Sequence, residues 1–369
     1  QSTNIMINIG KLYAQQLASV VSSRRLTRPA PYVQTTKIKR RVVPLEERAN
    51  PAPVQLFYVP LPETEMNDAL DAIGIGGQGD LQTSITSLSV TENNTVIWYD
   101  HWEDGYEAIL GNPQQATTLV WGDGDDSNGI APGFATDPMG IPAGTVFRLR
   151  NDVPTPRNVA VDGILFDSPD RFGSNKTIAV SRAQFTLPDG TVLAGAVEVR
   201  DTRFYDTEYV APIGTNTPNQ ENMFEYTSFF VQAFLDNTRV QIDVNNNGVF
   251  TDPGDVDVIL NQGQTVQSSP NVLQGARVKA SLPVQAFLLT GGIGGKFASR
   301  TYLLYSVNQA SNDYFTPVGY DKASPNNDTT NDDVRLFIYN PNATAINVSV
   351  EDKTGVVSTL NRAAGASSK

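Results

Sequence analysis

Two stretches of this 369-residue sequence gather side chains that could hold a cation. The sharper is Asp243-Val244-Asn245-Asn246-Asn247-Gly248-Val249. It puts oxygen donors at its first, third and fifth positions and a glycine at the bend, which is the opening half of a calcium loop. Val249 would lend its main-chain carbonyl. The bidentate Glu that usually closes such a loop is replaced by Gly254, so Asp252 or Asp255 has to complete the shell. Ca2+ accepts hard oxygens in irregular geometry, so the variant is chemically reasonable. The competing reading is a hairpin turn without metal, since Asn-Gly and Pro-Gly-Asp form turns unaided.

The second stretch is Asp100-His101-Trp102-Glu103-Asp104-Gly105-Tyr106-Glu107. Trp102 stands where a third-position ligand would be, so this is no EF-hand loop. Asp100 and Asp104 are expected either to share calcium with Asp123 and Asp125, from the acidic run 121–129, or to lie in two solvated turns. A third chemistry is glycan hydrolysis by paired carboxylates, centred on Glu103 and Glu107 beside two Trp. The two stretches align without gaps, Asn94–Gly105 over Asn237–Gly248, and keep Asn, Thr, Asp and Gly. The second copy loses the His, the Glu and the Trp. A turn kept while its reactive groups vary implies a structural role, so no catalytic residue is assigned and the chain reads as not an enzyme. The glycine run 291–296 lacks the Gly-Lys-Ser/Thr ending of a phosphate loop and reads as a β-hairpin or bulge.

These loops have to be carried by strands. Beyond Pro53 the text consists of short alternating runs bounded by Gly, Pro, Asn and Asp, such as Arg239–Asp243 and Ile346–Val350, the pattern of half-exposed antiparallel sheets. No convincing helix appears after residue 70. Two further landmarks repeat in order: 179–185 answers 280–287, and 208–214 answers 313–319. The expected fold is all-β: two tandem antiparallel β-sandwich domains at 54–214 and 215–319. A basic N-terminal helix (5–23) and extended arm occupy 1–53. A partial third β module, or exchanged segment, occupies 320–369. A half-sandwich leaves strand edges open, so that last segment is expected to need a complement from its own polypeptide or from a neighbouring subunit.

Composition bounds the partners. Without Cys there is neither a disulfide framework nor a thiolate metal site, and one His leaves no multi-His zinc centre. Residues 1–50 carry nine Lys or Arg against two Glu, a net of +7; the other 319 residues carry 18 against 37, a net of −19. An acidic body repels nucleic acid, whereas a basic arm can bind the body of the next copy. No apolar run is long enough for a transmembrane helix. The chain starts at Gln1 without a signal peptide, as a processed form or a piece of something longer. Five sequons, at Asn93, Asn175, Asn327, Asn342 and Asn347, permit glycosylation in a secreted protein.

The motif Tyr99–Glu107, followed by Trp121-Gly122-Asp123-Gly124, resembles a group of large secreted surface proteins, mostly bacterial, built from tandem β-sandwich modules. The stretch Val278–Thr290 is similar to modules of the IgG-Fc-binding-protein type found in adhesive and matrix proteins. The resemblance covers about residues 55–319 and implies a non-enzymatic, extracellular, cell-surface role. With the repeats and the opposed charges, it leads to a calcium-stabilised structural or adhesive subunit. That subunit would polymerise head to tail with copies of itself into a filament, sheath or surface layer. The alternative is a monomeric adhesin module binding carbohydrate, other surface proteins or host protein.

Overall fold

The computed structural model describes residues 53–74, 81–187, 193–218, 222–294, 299–311, 313–315, 336–352, 355–365 and 367–368. Contacts divide the chain into units Gln1–Ala49 and Asn50–Lys369. The helix expected at 5–23 and the basic arm lie outside the described residues.

The fold is all-β. Its first part runs β1 (Gln55–Tyr58), helix α1 (Glu63–Ile73), β2 (Leu81–Val90), β3 (Ile97–Asp100), β4 (Leu119–Trp121), β5 (Val146–Pro154), a one-turn helix α2 (Val159–Asp162), β6 (Arg171–Ser174), β7 (Ile178–Leu187) and β8 (Leu193–Val199). Two four-stranded antiparallel sheets result, in the orders β1-β6-β3-β4 and β5-β2-β7-β8. Alternation puts one side chain in two inward, as with Phe147 and Leu149 on β5, and both sheets feed one core containing Phe57, Tyr99, Trp121, Phe172 and Val180.

The second part runs β9 (Asp206–Val210), β10 (Tyr226–Ala233), β11 (Thr238–Asp243), β12 (Val256–Leu260), β13 (Thr265–Gln267), β14 (Arg277–Gly291) and β15 (Arg300–Leu303). The long strand β14 serves both layers. Its residues 277–280 pair with β11 and 277–279 with β9, while 284–291 pair with β10 and 287–290 with β15. The register with β9 shifts between Lys279 and Val284, and Pro283, which has no N–H to give a ladder, falls in that irregular stretch. The two orders therefore correspond strand for strand. Strands β1 to β8 answer β9 to β15, with β6 and β7 fused into β14. The second copy accordingly starts at β9, so the stretch 208–214, whose first three residues belong to β9, opens the second copy rather than ending the first. Residues 316–319, aligned with it in sequence, lie outside the described residues.

A third set follows. β16 (Ile338–Tyr339) pairs with β19 (Ser367–Ser368), and β17 (Ile346–Glu351) with β18 (Val357–Arg362). These pairs repeat β10 with β13 and β11 with β12. Phe337 packs on the second core, its ring 5.1 Å from that of Phe224.

One helix stands where only strands are expected. In α1 the acidic Glu63 and Glu65 occupy the first turn, and Met66, Ala69, Leu70 and Ile73 recur at helical spacing on one buried face. That face meets Tyr226, Phe230, Phe287 and Leu289 of the second sandwich and Val197 of the first. All eight residues of β10 are buried because its two faces serve different cores. Phe229, Val231 and Ala233 point into their own sandwich; Tyr226 and Phe230 point at α1. Polar ends are matched too, since Gln285 Nε2 donates to Tyr58 O and Gln232 Nε2 to Val59 O, both at 3.1 Å.

Each apolar side chain of this seam contributes about 1.5–3 kcal/mol by burial. Leu70→Ala should therefore cost about 2–5 kcal/mol. In calorimetry the two sandwiches should melt together in the wild type and separate in Leu70→Ala; an unaltered single peak would count against the seam.

Candidate functional site

The repeated acidic corner at the end of the third strand is built the same way in each copy. Asn94 and Asn237 turn the chain at φ 60° and 58°, a left-handed conformation that Asn tolerates. The next residue, Thr95 or Thr238, donates its hydroxyl back to the carbonyl three residues earlier, at 2.7 and 2.8 Å. The strand then ends on a fully buried aspartate, Asp100 or Asp243. In the third set the strand ends at Glu351, and the exposed Asp352 that follows it accepts the Val356 amide at 3.1 Å. Gly105, Gly248 and Gly355 follow at φ 93°, 84° and 83°, where a side chain would be strained.

A buried carboxylate needs donors, and the copies supply different ones. Asp100 lies opposite Arg171 in the ladder and accepts from its Nε at 3.0 Å and from its Nη2. It also takes the Glu107 amide at 3.0 Å and the Thr118 hydroxyl at 3.1 Å. Asp243 lies opposite Arg277, the equivalent residue, but accepts the amides of Asn245, Asn247 and Gly248 instead, at 3.2, 3.3 and 2.7 Å. Arg277 turns to Glu208 at 3.3 Å.

In the first copy the motif Tyr99–Tyr106 grips the loop between β5 and β6 side chain by side chain. Tyr99 donates to Asp170 at 2.9 Å, Trp102 Nε1 to Asp167 at 2.8 Å, and Tyr106 to Pro169 O at 2.9 Å. His101 Nδ1 sits 2.9 Å from Leu165 O and 3.3 Å from Asp170 Oδ2. Glu103 Oε1 accepts from Arg157 at 2.7 Å and from the Leu165 amide at 2.8 Å, and Arg157 also holds Asp162 and Asp167. Burial raises the pKa of Asp100 despite Arg171, and that of Glu103. Burial, with the negative charge of Glu63 and Asp170, pushes Asp167 up to about 8 against the pull of Arg157. Burial also raises Asp170; for His101 burial acts downward, but the contact with Asp170 outweighs it and the net shift is upward. The pair thus keeps a proton to higher pH than either group would in water.

The carboxylates expected to share calcium in the first copy do not come together. Asp100 and Asp104 lie at the loop end of the β3–β4 ladder, whereas Asp123 follows the other end of β4 beside Met139. The antiparallel hairpin separates them by its own length. Asp104 accepts from Thr117 at 2.6 Å; Asp123 and Asp125 close exposed turns through the amides of Asp125 and Ser127, at 3.0 and 2.9 Å. Asp137, not Asp100, completes that second turn, taking the Gly122, Gly124 and Ala131 amides at 2.8, 2.9 and 3.1 Å.

In the second copy Asn245, Asn247 and Asp252 do converge, with both Asn amide groups donating to Asp252 Oδ2, at 3.2 and 2.5 Å. Asp255 is spent on the fold, since it accepts the amides of Val244 and Asp252 at 3.0 and 2.8 Å. Val249 is exposed. Hard oxygens from Asp243, Asn245, Asn247 and Asp252 fit calcium in kind, and Asp255 does not join them. Of the sequons, Asn93, Asn342 and Asn347 are exposed and Asn175 is half-buried, accepting the Val96 amide at 2.7 Å; Asn327 lies outside the described residues.

Sequence reasoning did not single out Arg157, Asp167, Asp170 and Arg171. The run Asp167-Ser168-Pro169-Asp170-Arg171 was their signal, as was the equivalence of Arg171 with Arg277 once strands are paired. Comparison with protein-family models, with curated proteins and with solved structures yields no match.

Removing one partner of a buried ion pair leaves the other charge uncompensated. Arg171→Met should therefore cost about 3–5 kcal/mol in denaturant unfolding. Arg277→Met, whose pair with Glu208 is about one-third exposed on either side, should cost under about 1 kcal/mol. Equal losses would contradict the assigned difference between the corners. The raised carboxyls Asp100, Glu103, Asp167 and Asp170 make folding take up protons between the ordinary carboxylate range and about 8. The raised His101 adds stability that is present below its ordinary range and lost as pH rises through its folded value. Both act in one direction, so with chelator present the melting temperature should fall from pH ~5.5 to ~8.5. A rise across that window would refute the assignment.

Proposed function

We propose that this protein is a non-enzymatic structural or adhesive component of an extracellular or cell-surface assembly. In this reading it is a repeating subunit that joins head to tail with other copies of itself into a filament, sheath or layer. The observation that carries the reading is the tandem repetition of one strand order, with the two complete copies sealed by an apolar seam. A rigid pair of this kind transmits load, because bending it would expose Met66, Leu70 and Phe230 to water.

The state of the acidic groups supports the same conclusion. Asp100, Glu103 and Glu107 hold the fold together: Glu107 Oε1 takes the amides of both Gln114 and Gln115 at 2.5 Å. Trp98 and Trp121 are core residues and present no platform to a sugar ring. Opposite charge on residues 1–50 and on the remaining chain favours contact between copies, and a heterologous contact of that kind propagates into fibres. Calcium at the Asp243 corner would rigidify it by neutralising Asp243 and Asp252 and by binding the folded state alone. Exposure of Asn93, Asn342 and Asn347 suits glycosylation outside the cell.

A monomeric adhesin is the second reading, favoured by one surface feature. Arg200 is stacked between the partly exposed rings of Phe204 and Tyr305, 4.7 and 4.6 Å from their centroids. Such a flat, charged platform suits a glycan or protein ligand.

Light scattering and electron microscopy on the full chain and on a form lacking residues 1–50 separate the two, each with and without chelator. Assembly predicts long particles that shorten to single molecules on deletion and a lower melting midpoint in chelator. Particle size indifferent to the deletion would sink assembly through the arm, and an unmoved midpoint would remove calcium.

A further inference from the structure

Among the described residues one group of three His, Asp or Glu side chains brings its ligand atoms within 4.8 Å of one another: His101, Glu103 and Asp170. It lies away from the Asp243 corner. His101 is 4% exposed, and the side chains of Glu103 and Asp170 are 2% and 0% exposed. Glu103 Oε1 is occupied by Arg157 and the Leu165 amide, but Glu103 Oε2 is buried with no hydrogen-bond partner. An orphaned, buried carboxylate oxygen is costly unless something absent from the chain itself meets it.

The local charge points the same way. Arg157 is ion-paired with Glu103, Asp162 and Asp167, and the fourth carboxylate, Asp170, meets the imidazole but no guanidinium. Four carboxylates thus face one permanent cation. Asp170 already draws the Tyr99 hydroxyl and the amides of Trp102 and Asp167, which orient its oxygens without neutralising them. That is how outer partners hold a metal ligand.

We propose that His101, Glu103 and Asp170 form a buried binding site for a first-row divalent cation of the zinc class, tying the loop after β3 to the loop before β6. One imidazole with two carboxylates suits zinc and its neighbours, whereas calcium and magnesium take oxygens only. Ligands about 2.0–2.1 Å from a tetrahedral zinc stand about 3.3 Å apart. The His101 Nδ1 to Asp170 Oδ2 distance is 3.3 Å. The ion binds neutral imidazole, so its entry releases to solvent any proton shared by His101 and Asp170. Leu165 O, 2.9 Å from Nδ1, is then a candidate fourth ligand and third oxygen.

His101 is the only histidine in 369 residues, so its ring signals in a proton–nitrogen NMR spectrum need no assignment. The full chain would be stripped with chelator, dialysed and titrated with Zn2+. One equivalent should shift both ring nitrogens and abolish their titration between pH ~5 and ~8, while Ca2+ leaves them unmoved. Glu103→Gln should weaken Zn2+ binding at least about tenfold, and Glu208→Gln, at a part-exposed position in the second sandwich, should leave it unchanged. Ring signals that go on titrating with Zn2+ in excess would overturn the site, and this wild-type measurement stands even if a variant fails to fold. Equal Zn2+ affinity in a folded Glu103→Gln would overturn it as well.

Discussion

A carboxylate buried at the end of the third strand sets the terms for the rest of the architecture. Such a charge is tolerated only when donors surround it, so the chain after the strand cannot wander and has to return over the aspartate. In the first copy Arg171 and the Glu107 amide close on Asp100; in the second, amides of the following turn, that of Gly248 among them, close on Asp243. The charge is constant and its neutralisation varies. That freedom lets the first copy carry a long, functional-looking loop on the same frame on which the second carries a compact turn.

The same economy governs how the copies join. A sandwich normally needs only one apolar face per strand, and polar alternation covers the other. Strands β10 and β14 break that rule, because Phe230, Phe287 and Leu289 look away from their own core toward helix α1. The helix is inserted after the first strand of the first copy, where the described residues of the second hold none. It joins the two sandwiches through one buried apolar cluster. Tyr106 belongs to the same seam: its hydroxyl approaches Gly263 so closely that a Cβ there would lie 1.9 Å away.

The motif that is richest in reactive side chains is thus the most heavily committed to structure. Tyr99, Asp100, Trp102 and Tyr106 each spend their polar atoms on the opposing loop or strand. What is left over, one carboxylate oxygen on Glu103 and an imidazole beside Asp170, is small, dry and enclosed. Such a place suits an ion or a proton. Chemistry-bearing residue types in a row therefore signalled a staple.

Read alone, the residues established the all-β class, because alternation with a period of two and turn residues between the runs leave a strand little choice. They also revealed the duplication, since Asn, Thr, Asp and Gly are each demanded by a local backbone conformation that the neighbours cannot change. Helix α1 escaped notice because eleven residues of modest amphipathicity acquire their identity only when Met66 and Leu70 find a partner surface. The fate of the charged groups was likewise beyond local inference. Asp100 and Asp123 are close in sequence yet lie at opposite ends of a hairpin, while Asp100 and Arg171, 71 positions apart, share a buried contact. Local conformation is written in neighbouring residues; which charge meets which is decided by strand pairing, and that exists only once the sheets have closed.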